Sequence, residues 1–353
     1  MTHEISIDGR KIGPSYAPYI IAEISGNHNG DIERAKSLIE AAKNSGACAV
    51  KLQTYTADSL TINSNRSEFV LQGGAWAGRN LYDLYEEAHT PWAWLPELFA
   101  YARELGITIF SSPFDQAAVD ILEKLNSPAY KIASNELTDW PLVEAVVKTG
   151  KPIILSTGAA SKSDISETID FVKQSGAKEI SVLHCVSAYP ALPSDTNLAT
   201  MVDIRDSFDV ISGLSDHTLG TVTSIAAIAM GACIIEKHFT LERNDGGPDS
   251  SFSLEPDEMK ILCDGAKWAW DSIQGIRYGA DTDLRRKGIF TRQFWTVEDI
   301  NAGEEITTAN IKSIRAPSDG GGIPTKHYKQ TYGKRAKIFI QKHSPLSFES
   351  IHE

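Results

Sequence analysis

The sequence predicts a closed (β/α)8 barrel followed by a small β-rich domain. Three observations carry that prediction. About eight short apolar runs alternate with helix-like stretches over roughly 270 residues, the count and size of such a barrel. The first strand-to-helix turn, Gly26-Asn27-His28-Asn29-Gly30, is not the GxGxxG turn that opens a doubly wound open sheet, the rival architecture. After Tyr278 the long helical period disappears and short apolar runs with turns take over.

Taken in order, Glu4 to Gly13 alternates around Asp8-Gly9, a two-residue hairpin signal, and is expected to plug the bottom of the barrel. Tyr19 to Ser25 is a short apolar strand carrying one carboxylate, Glu23. A polar loop and a helix with apolar Ala35, Leu38, Ile39 and Ala42 follow, which sets the repeating unit. The remaining strands are expected at Ala49 to Gln53, Ile107 to Ser112, Ala129 to Ser134, Ile153 to Thr157, Glu179 to Cys185, Asp209 to Gly213 and Cys233 to Phe239. Helices are expected from Trp92 to Leu105 and from about Pro256 to Ile273. The barrel is assigned to 1–280, a polar linker containing Arg285-Arg286-Lys287 to 281–290, and the small domain to 291–353. Two connections, Gln53 to Trp92 and Leu241 to Ser253, are long enough to serve as lids or substrate walls on the catalytic face.

A chain of 353 residues with 42% hydrophobic content has ample apolar surface to bury. The net charge of -12 argues against a nucleic-acid or anionic-membrane partner, because no basic mass offsets phosphate repulsion. A small anionic substrate would need locally placed Lys or Arg. Cys48, Cys185, Cys233 and Cys263 form no CxxC pair, and three of them sit in apolar runs, which points to reduced core residues and a cytoplasmic setting. The N-terminus has no cationic segment leading into an apolar core, so neither export nor membrane insertion is expected.

In a barrel the working face lies at the C-terminal ends of the strands. Glu23, Lys51, Gln53, Ser112, Lys131, Ser134, Glu136, Ser156, Tyr189, Ser215, His217, His238 and Asp249 all fall there or in the loop just after. Lys51 and Lys131 follow or interrupt apolar strands, where an unpaired ammonium is costly, so each needs an anion or a carboxylate such as Glu23. Ser112 and Ser156 can equally be read as caps of the next helix. His217 and His238 stand at the ends of two neighbouring strands about 5 Å apart, flanked by Asp216 and Asp249, which is half of a metal site. Two imidazoles suit Mn, Fe, Co or Zn better than Ca. In the small domain Arg315 stands beside a Gly-rich turn, where a solvated arginine is the ordinary reading.

Six segments together resemble the motif series of the sialic acid synthase family: Tyr19-Ile20-Ile21-Ala22-Glu23, Val50-Lys51-Leu52-Gln53-Thr54, Ala129 to Ser134, Leu155-Ser156-Thr157-Gly158, Gly213 to Thr218 and Glu236-Lys237-His238-Phe239-Thr240. That family carries a C-terminal antifreeze-like (SAF) domain, and the match runs in order along nearly the whole chain. Thr56 to Leu60, Gly73 to Trp76, Leu81 to Tyr85 with Thr90-Pro91, and Ser111 to Phe114 are most similar to its pseudaminic acid synthase branch. The resemblance implies a TIM barrel in which phosphoenolpyruvate condenses with an open-chain amino sugar and water.

On the same resemblance, Glu23 is the catalytic acid/base, and Lys51, Ser112, Lys131, Ser134, Ser156 and Ser215 bind phosphoenolpyruvate. His217 and His238 hold a divalent metal, manganese first, with magnesium or cobalt as alternatives. Gln53, Glu136, Tyr189 and Asp249 face the sugar, joined by Arg315 from the partner in a domain-swapped homodimer. One departure is Ser187, where many of these synthases have Asn, and it speaks for a different sugar. Other readings are an N-acetylneuraminate or legionaminic acid synthase, and a non-catalytic sugar-binding barrel.

Overall fold

The strands appear in the chain as β1 (Ile5–Ile7), β2 (Arg10–Ile12), β3 (Tyr19–Glu23), β4 (Ala49–Thr54), β5 (Thr108–Pro113), β6 (Tyr130–Ile132), β7 (Ile153–Ser156), β8 (Ile180–Cys185), β9 (Ile211–Asp216), β10 (Ile234–His238), β11 (Arg292–Thr296) and β12 (Ile311–Arg315). The computed structural model describes residues 4–73, 76–276, 291–315 and 320–352. Gly74, Ala75 and the stretch 281–290, read from sequence as a linker, lie outside the described residues. The chain divides into two compact units, Met1–Gln274 and Gly275–Glu353.

In the first unit β3 to β10 close a parallel barrel in chain order, β10 pairing with both β9 and β3. Each strand alternates two environments, because successive side chains point to opposite faces. Ile20, Ala22, Val50, Leu52, Tyr130, Ile132, Leu214 and Ile235 face the surrounding helices. Tyr19, Ile21, Ala49, Phe110, Ile154, Leu183, Ile211 and Ile234 face inward at the lower end. The antiparallel β1–β2 hairpin turns at Asp8-Gly9, both with positive φ, and drives Ile5, Ile7 and Ile12 into that lower layer. This is the expected plug.

The helices follow their sequence signals. Ile32–Asn44 starts where the Asp31 carboxylate accepts the Glu33 N–H at 2.9 Å, and it buries Ala35, Leu38, Ile39 and Ala42. Leu95–Leu105 ends at Gly106, whose φ of 72° gives the left-handed cap, and Pro256–Ser272 covers the last interval. The excursion between β4 and Trp92 is more structured than a loop. It holds short helices at Ala57–Leu60 and Leu81–Ala88, the second capped by Asn80. β9 runs to Asp216, three residues beyond the expected end at Gly213, because its ladder to β10 continues to the Asp216–Lys237 rung. Gly213 permits that approach, since a Cβ there would lie 2.2 Å from the Ile234 carbonyl oxygen.

The second unit contains the antiparallel pair β11–β12 and several isolated bridges. Its own core includes Phe294, Ile300, Ile306, Ile311, Ile340 and Leu346. Among the described residues no helix is long and apolar enough to cross a membrane.

The plug predicts a separation of stability from chemistry. Ile7→Ala removes a side chain that is 0% exposed and should cost about 2–5 kcal/mol in urea denaturation. Ligand affinity at the opposite end of the barrel should be unchanged, and a loss below 0.5 kcal/mol would contradict the packing role.

Candidate active site

Above the apolar plug the inward positions turn polar. On β10 the residues after Ile234 on the inner face are Glu236 and His238, and on β4 those after Ala49 are Lys51 and Gln53. Glu23 is the rung partner of Lys51 on one side and of His238 on the other. Residues far apart in sequence therefore meet through strand register alone.

They form a buried charge layer. Lys51 Nζ lies 2.7 Å from Glu23 Oε2 and 3.5 Å from Glu236 Oε1, and it donates to Ser112 Oγ at 3.2 Å. Lys131 Nζ donates to Ser156 Oγ at 2.6 Å and lies 3.7 Å from Glu236 Oε2. The Gln53 amide donates to Glu23 Oε1 at 2.8 Å, and the Ser215 hydroxyl donates to Glu236 Oε1 at 3.4 Å. Neither Ser112 nor Ser156 caps a helix, because Asp115 and Ser161 take that role for the next two.

Sequence reasoning missed Glu236. It sits between both ammonium groups and is the carboxylate partner of Lys131. The available signal was the period of two along Glu236-Lys237-His238, which turns Glu236 inward together with the histidine. The same rule corrects the expectation for Asp216. It points outward and pairs with Lys237 behind the barrel wall at 2.9 Å, so it does not flank the site.

The environments push the two glutamates apart. Burial raises the Glu23 carboxyl above its ordinary value, although Lys51 pulls against it. Burial acts on Glu236 too, but Lys131 and Lys51 outweigh it and hold that carboxyl low. Burial lowers Lys131.

The imidazoles sit beside this layer, with ring centroids 5.4 Å apart. Val186 O lies 2.9 Å from His217 Nδ1, which puts a proton on Nδ1 and leaves Nε2 as the lone-pair nitrogen. Burial acts to lower His217, but Cys185 3.8 Å away, the Val186 carbonyl and Glu236 together outweigh it and raise the group. Burial, followed by His217 and the nearby ammonium groups, holds His238 well below its usual value, hence neutral. His238 Nδ1 is buried without a hydrogen-bond partner, and Asp249 Oδ2 stands 3.6 Å away.

A neutral imidazole with an orphaned ring nitrogen is the chemistry a divalent ion requires. Among the described residues no cluster of three or more His, Cys, Asp or Glu has metal-site geometry. Two imidazoles could hold an ion only with positions left for other ligands, and they do not make a closed structural site.

An aromatic wall stands over the imidazoles. The Tyr189 ring lies 4.3 Å from His217 and 5.3 Å from both Trp76 and Phe252. The Trp76 indole N–H donates to Pro248 O at 2.7 Å, which joins the two long loops expected on this face. Ser134 reaches the mouth through its hydroxyl, which accepts the Gly158 N–H at 3.0 Å. Gly158 packs closely against three side chains, so that a Cβ would lie 2.4 Å from Ser187 Oγ and 3.0 Å from both Cys185 Sγ and Ser134 Oγ. Glu136 ends the short turn after β6. His28 is structural: its Nδ1 accepts the Gly30 N–H at 3.1 Å, Nε2 meets Thr90 Oγ1 at 3.3 Å, and burial lowers it to about 4. Arg315 ends β12 in the second unit and is exposed.

A family model described as the NeuB family matches residues 38–277, and one described as the SAF domain matches 291–351. The chain belongs to the NeuB family. A pseudaminic acid synthase of Helicobacter pylori, similar to this NeuB-family chain, is 42% identical over 95% of this chain and 98% of its own length. An N,N'-diacetyllegionaminic acid synthase of Campylobacter jejuni is 37% identical over 88% of this chain and 97% of its own. Among solved structures, an N-acetylneuraminic acid synthetase from Leptospira borgpetersenii in complex with citrate superposes with a TM-score of 0.72 at 29% identity. It covers 81% of this chain and 99% of that one.

Glu136 gives a pH prediction. Burial pushes its carboxyl up to about 7 from 4.5, so the folded chain keeps a proton that the unfolded chain has lost. Stability contributed by this site is therefore present at low pH and is lost as pH rises from 4.5 to about 7. Glu136→Gln should be more stable than the parent at pH 8 by roughly 1–3 kcal/mol in urea denaturation. The difference should vanish at pH 4, and parallel pH profiles would contradict the burial of this group.

Proposed function

We propose that the chain is a pseudaminic acid synthase, a transferase that condenses phosphoenolpyruvate with 2,4-diacetamido-2,4,6-trideoxy-L-altrose and water. The products are a nine-carbon 2-keto sugar acid and phosphate. The observation that supports it best is the layer in which two buried ammonium groups and several hydroxyls stand beside two imidazoles at one barrel mouth. The similarity to pseudaminic acid synthases over nearly the whole chain supports the choice of sugar. The Gln53 to Pro91 excursion, with Trp76 in the aromatic wall, is the wall of the sugar pocket.

The chemistry follows from the residues. Lys51, Lys131 and the hydroxyls of Ser112, Ser134, Ser156 and Ser215 take the phosphate and carboxylate of phosphoenolpyruvate. Carbon 3 attacks the sugar aldehyde, positive charge develops at carbon 2, and water adds there before phosphate leaves. One proton goes to the aldehyde oxygen and one leaves the water as it adds; the other water proton goes to the departing phosphate as its bond to carbon 2 breaks and the keto group forms. Glu23, raised by burial, gives the first and accepts the second. Glu236, held ionised, opposes the positive charge at carbon 2. His217 and His238 would hold a divalent ion, manganese in the first place, which would supply Lewis-acid polarisation of the aldehyde oxygen. Gln53, Glu136, Tyr189 and Asp249 orient the sugar, and Arg315 joins them from the partner in a domain-swapped homodimer.

Phosphate release measured side by side with three sugars tests the substrate. The altrose derivative should give the highest kcat/KM, ahead of N-acetylmannosamine and of the diacetyllegionaminic acid precursor. Faster turnover with N-acetylmannosamine would overturn the assignment, and no release with any amino sugar would leave only a sugar-binding barrel. His217→Ala and His238→Ala should each abolish metal-dependent phosphate release while the circular dichroism spectrum persists. Full activity of the parent protein in chelator would count against a metal role.

A further inference from the structure

A second buried ion pair lies directly behind the imidazoles, on the outer side of the barrel wall. Asp216 and Lys237 are rung partners on β9 and β10, and each immediately precedes a histidine of the site, His217 and His238. Both side chains are 0% exposed, with Lys237 Nζ 2.9 Å from Asp216 Oδ2. Asp216 Oδ1 accepts from the Thr218 N–H and the Thr218 hydroxyl, each at 2.8 Å, and Oδ2 accepts from the Ser224 hydroxyl at 2.5 Å. The Lys237 ammonium also donates to the Thr218 carbonyl oxygen.

The N–H, carbonyl and hydroxyl of Thr218 are thus all engaged by the residue before His217 and by the residue before His238. The backbone of His217 is bracketed on both sides and tied to the neighbouring strand. A fully buried ion pair is a poor device for stability alone, because an apolar pair of similar volume usually serves as well. An apolar pair could not grip the turn that follows β9.

We propose that the Asp216–Lys237 pair is a positioning device for the two imidazoles. It holds the His217 backbone against β10 so that the rings keep the separation that one ion can bridge, 5.4 Å between centroids. The inference rests on the metal role proposed above for His217 and His238. It adds that the donor geometry is set from outside the pocket, by groups that touch neither ion nor substrate.

The test is a Co2+ titration of the metal-stripped full-length protein, read by visible absorption and by calorimetry. The double variant D216N/K237M removes the cross-strand ammonium without leaving either charge buried alone. It should bind Co2+ about tenfold or more weakly, with a shifted absorption band. Its affinity for phosphoenolpyruvate without metal should be unchanged, because Lys51 and Lys131 are untouched. Ser224→Ala removes only the tie to the helix Val222–Ala229 and should leave Co2+ affinity and band as in the parent. Thr218→Val, a milder change that keeps both charges, should weaken Co2+ binding in the same direction and serves if the double variant does not fold. Parental Co2+ affinity and band in the double variant, or in Thr218→Val if only that variant folds, would overturn the positioning role. So would a loss in Ser224→Ala equal to that of the double variant. Absence of Co2+ binding by the parent protein would instead overturn the metal reading itself, before any variant is compared.

Discussion

Two ammonium groups in the interior of an apolar barrel dictate the rest of the site. Lys51 and Lys131 are 3% and 2% exposed, and a charge at that depth is tolerated only with a partner. Glu23 and Glu236 supply the partners, with Glu236 shared between the two lysines. Two lysines and two glutamates thus form one layer, sealed below by the isoleucines of the β1–β2 hairpin. Each ammonium group already has a carboxyl partner within the layer. An anion that enters it competes with the carboxylates for the same ammonium groups, which makes its binding sensitive to where each carboxylate sits.

Register makes this layer possible. The rungs Glu23 to Lys51 and Glu23 to His238 bring three chemically different groups from three strands to one height. Small residues keep the wall closed where side chains would open it, as at Gly213 against β10 and at Gly158 against Ser187. The aromatic wall of Trp76, Tyr189 and Phe252 then covers the imidazoles from the loop side. Charge is thereby confined below and apolar surface offered above, which suits a substrate with an anionic end and an acetamido-bearing sugar end.

Most of this was legible in the sequence because short, fully buried parallel strands announce themselves as apolar runs, and a polar residue within one stands out. Glu23, Lys51 and Lys131 were visible for that reason. Glu236 was not singled out because it shares a short motif with two other titratable residues, and only the inward and outward alternation separates them. Asp216 flanks His217 in the sequence, beyond the expected strand end at Gly213. The ladder to β10 extends the strand and turns that carboxylate outward. The helices Ala57–Leu60 and Leu81–Ala88 were hidden because segments of four and eight residues owe their helicity to packing and caps more than to periodicity. The two ring nitrogens of His28 are taken by the Gly30 N–H in its own turn and by Thr90 Oγ1 in the long excursion after β4, a pairing that no local pattern shows.

The most direct measurement is a crystal structure of the protein soaked with phosphoenolpyruvate. Density is expected with the phosphoryl group in contact with both Lys51 and Lys131 and with carbon 3 turned toward His217 and His238. Density that touches only one ammonium group, or that lies outside the barrel mouth, would contradict a shared pocket.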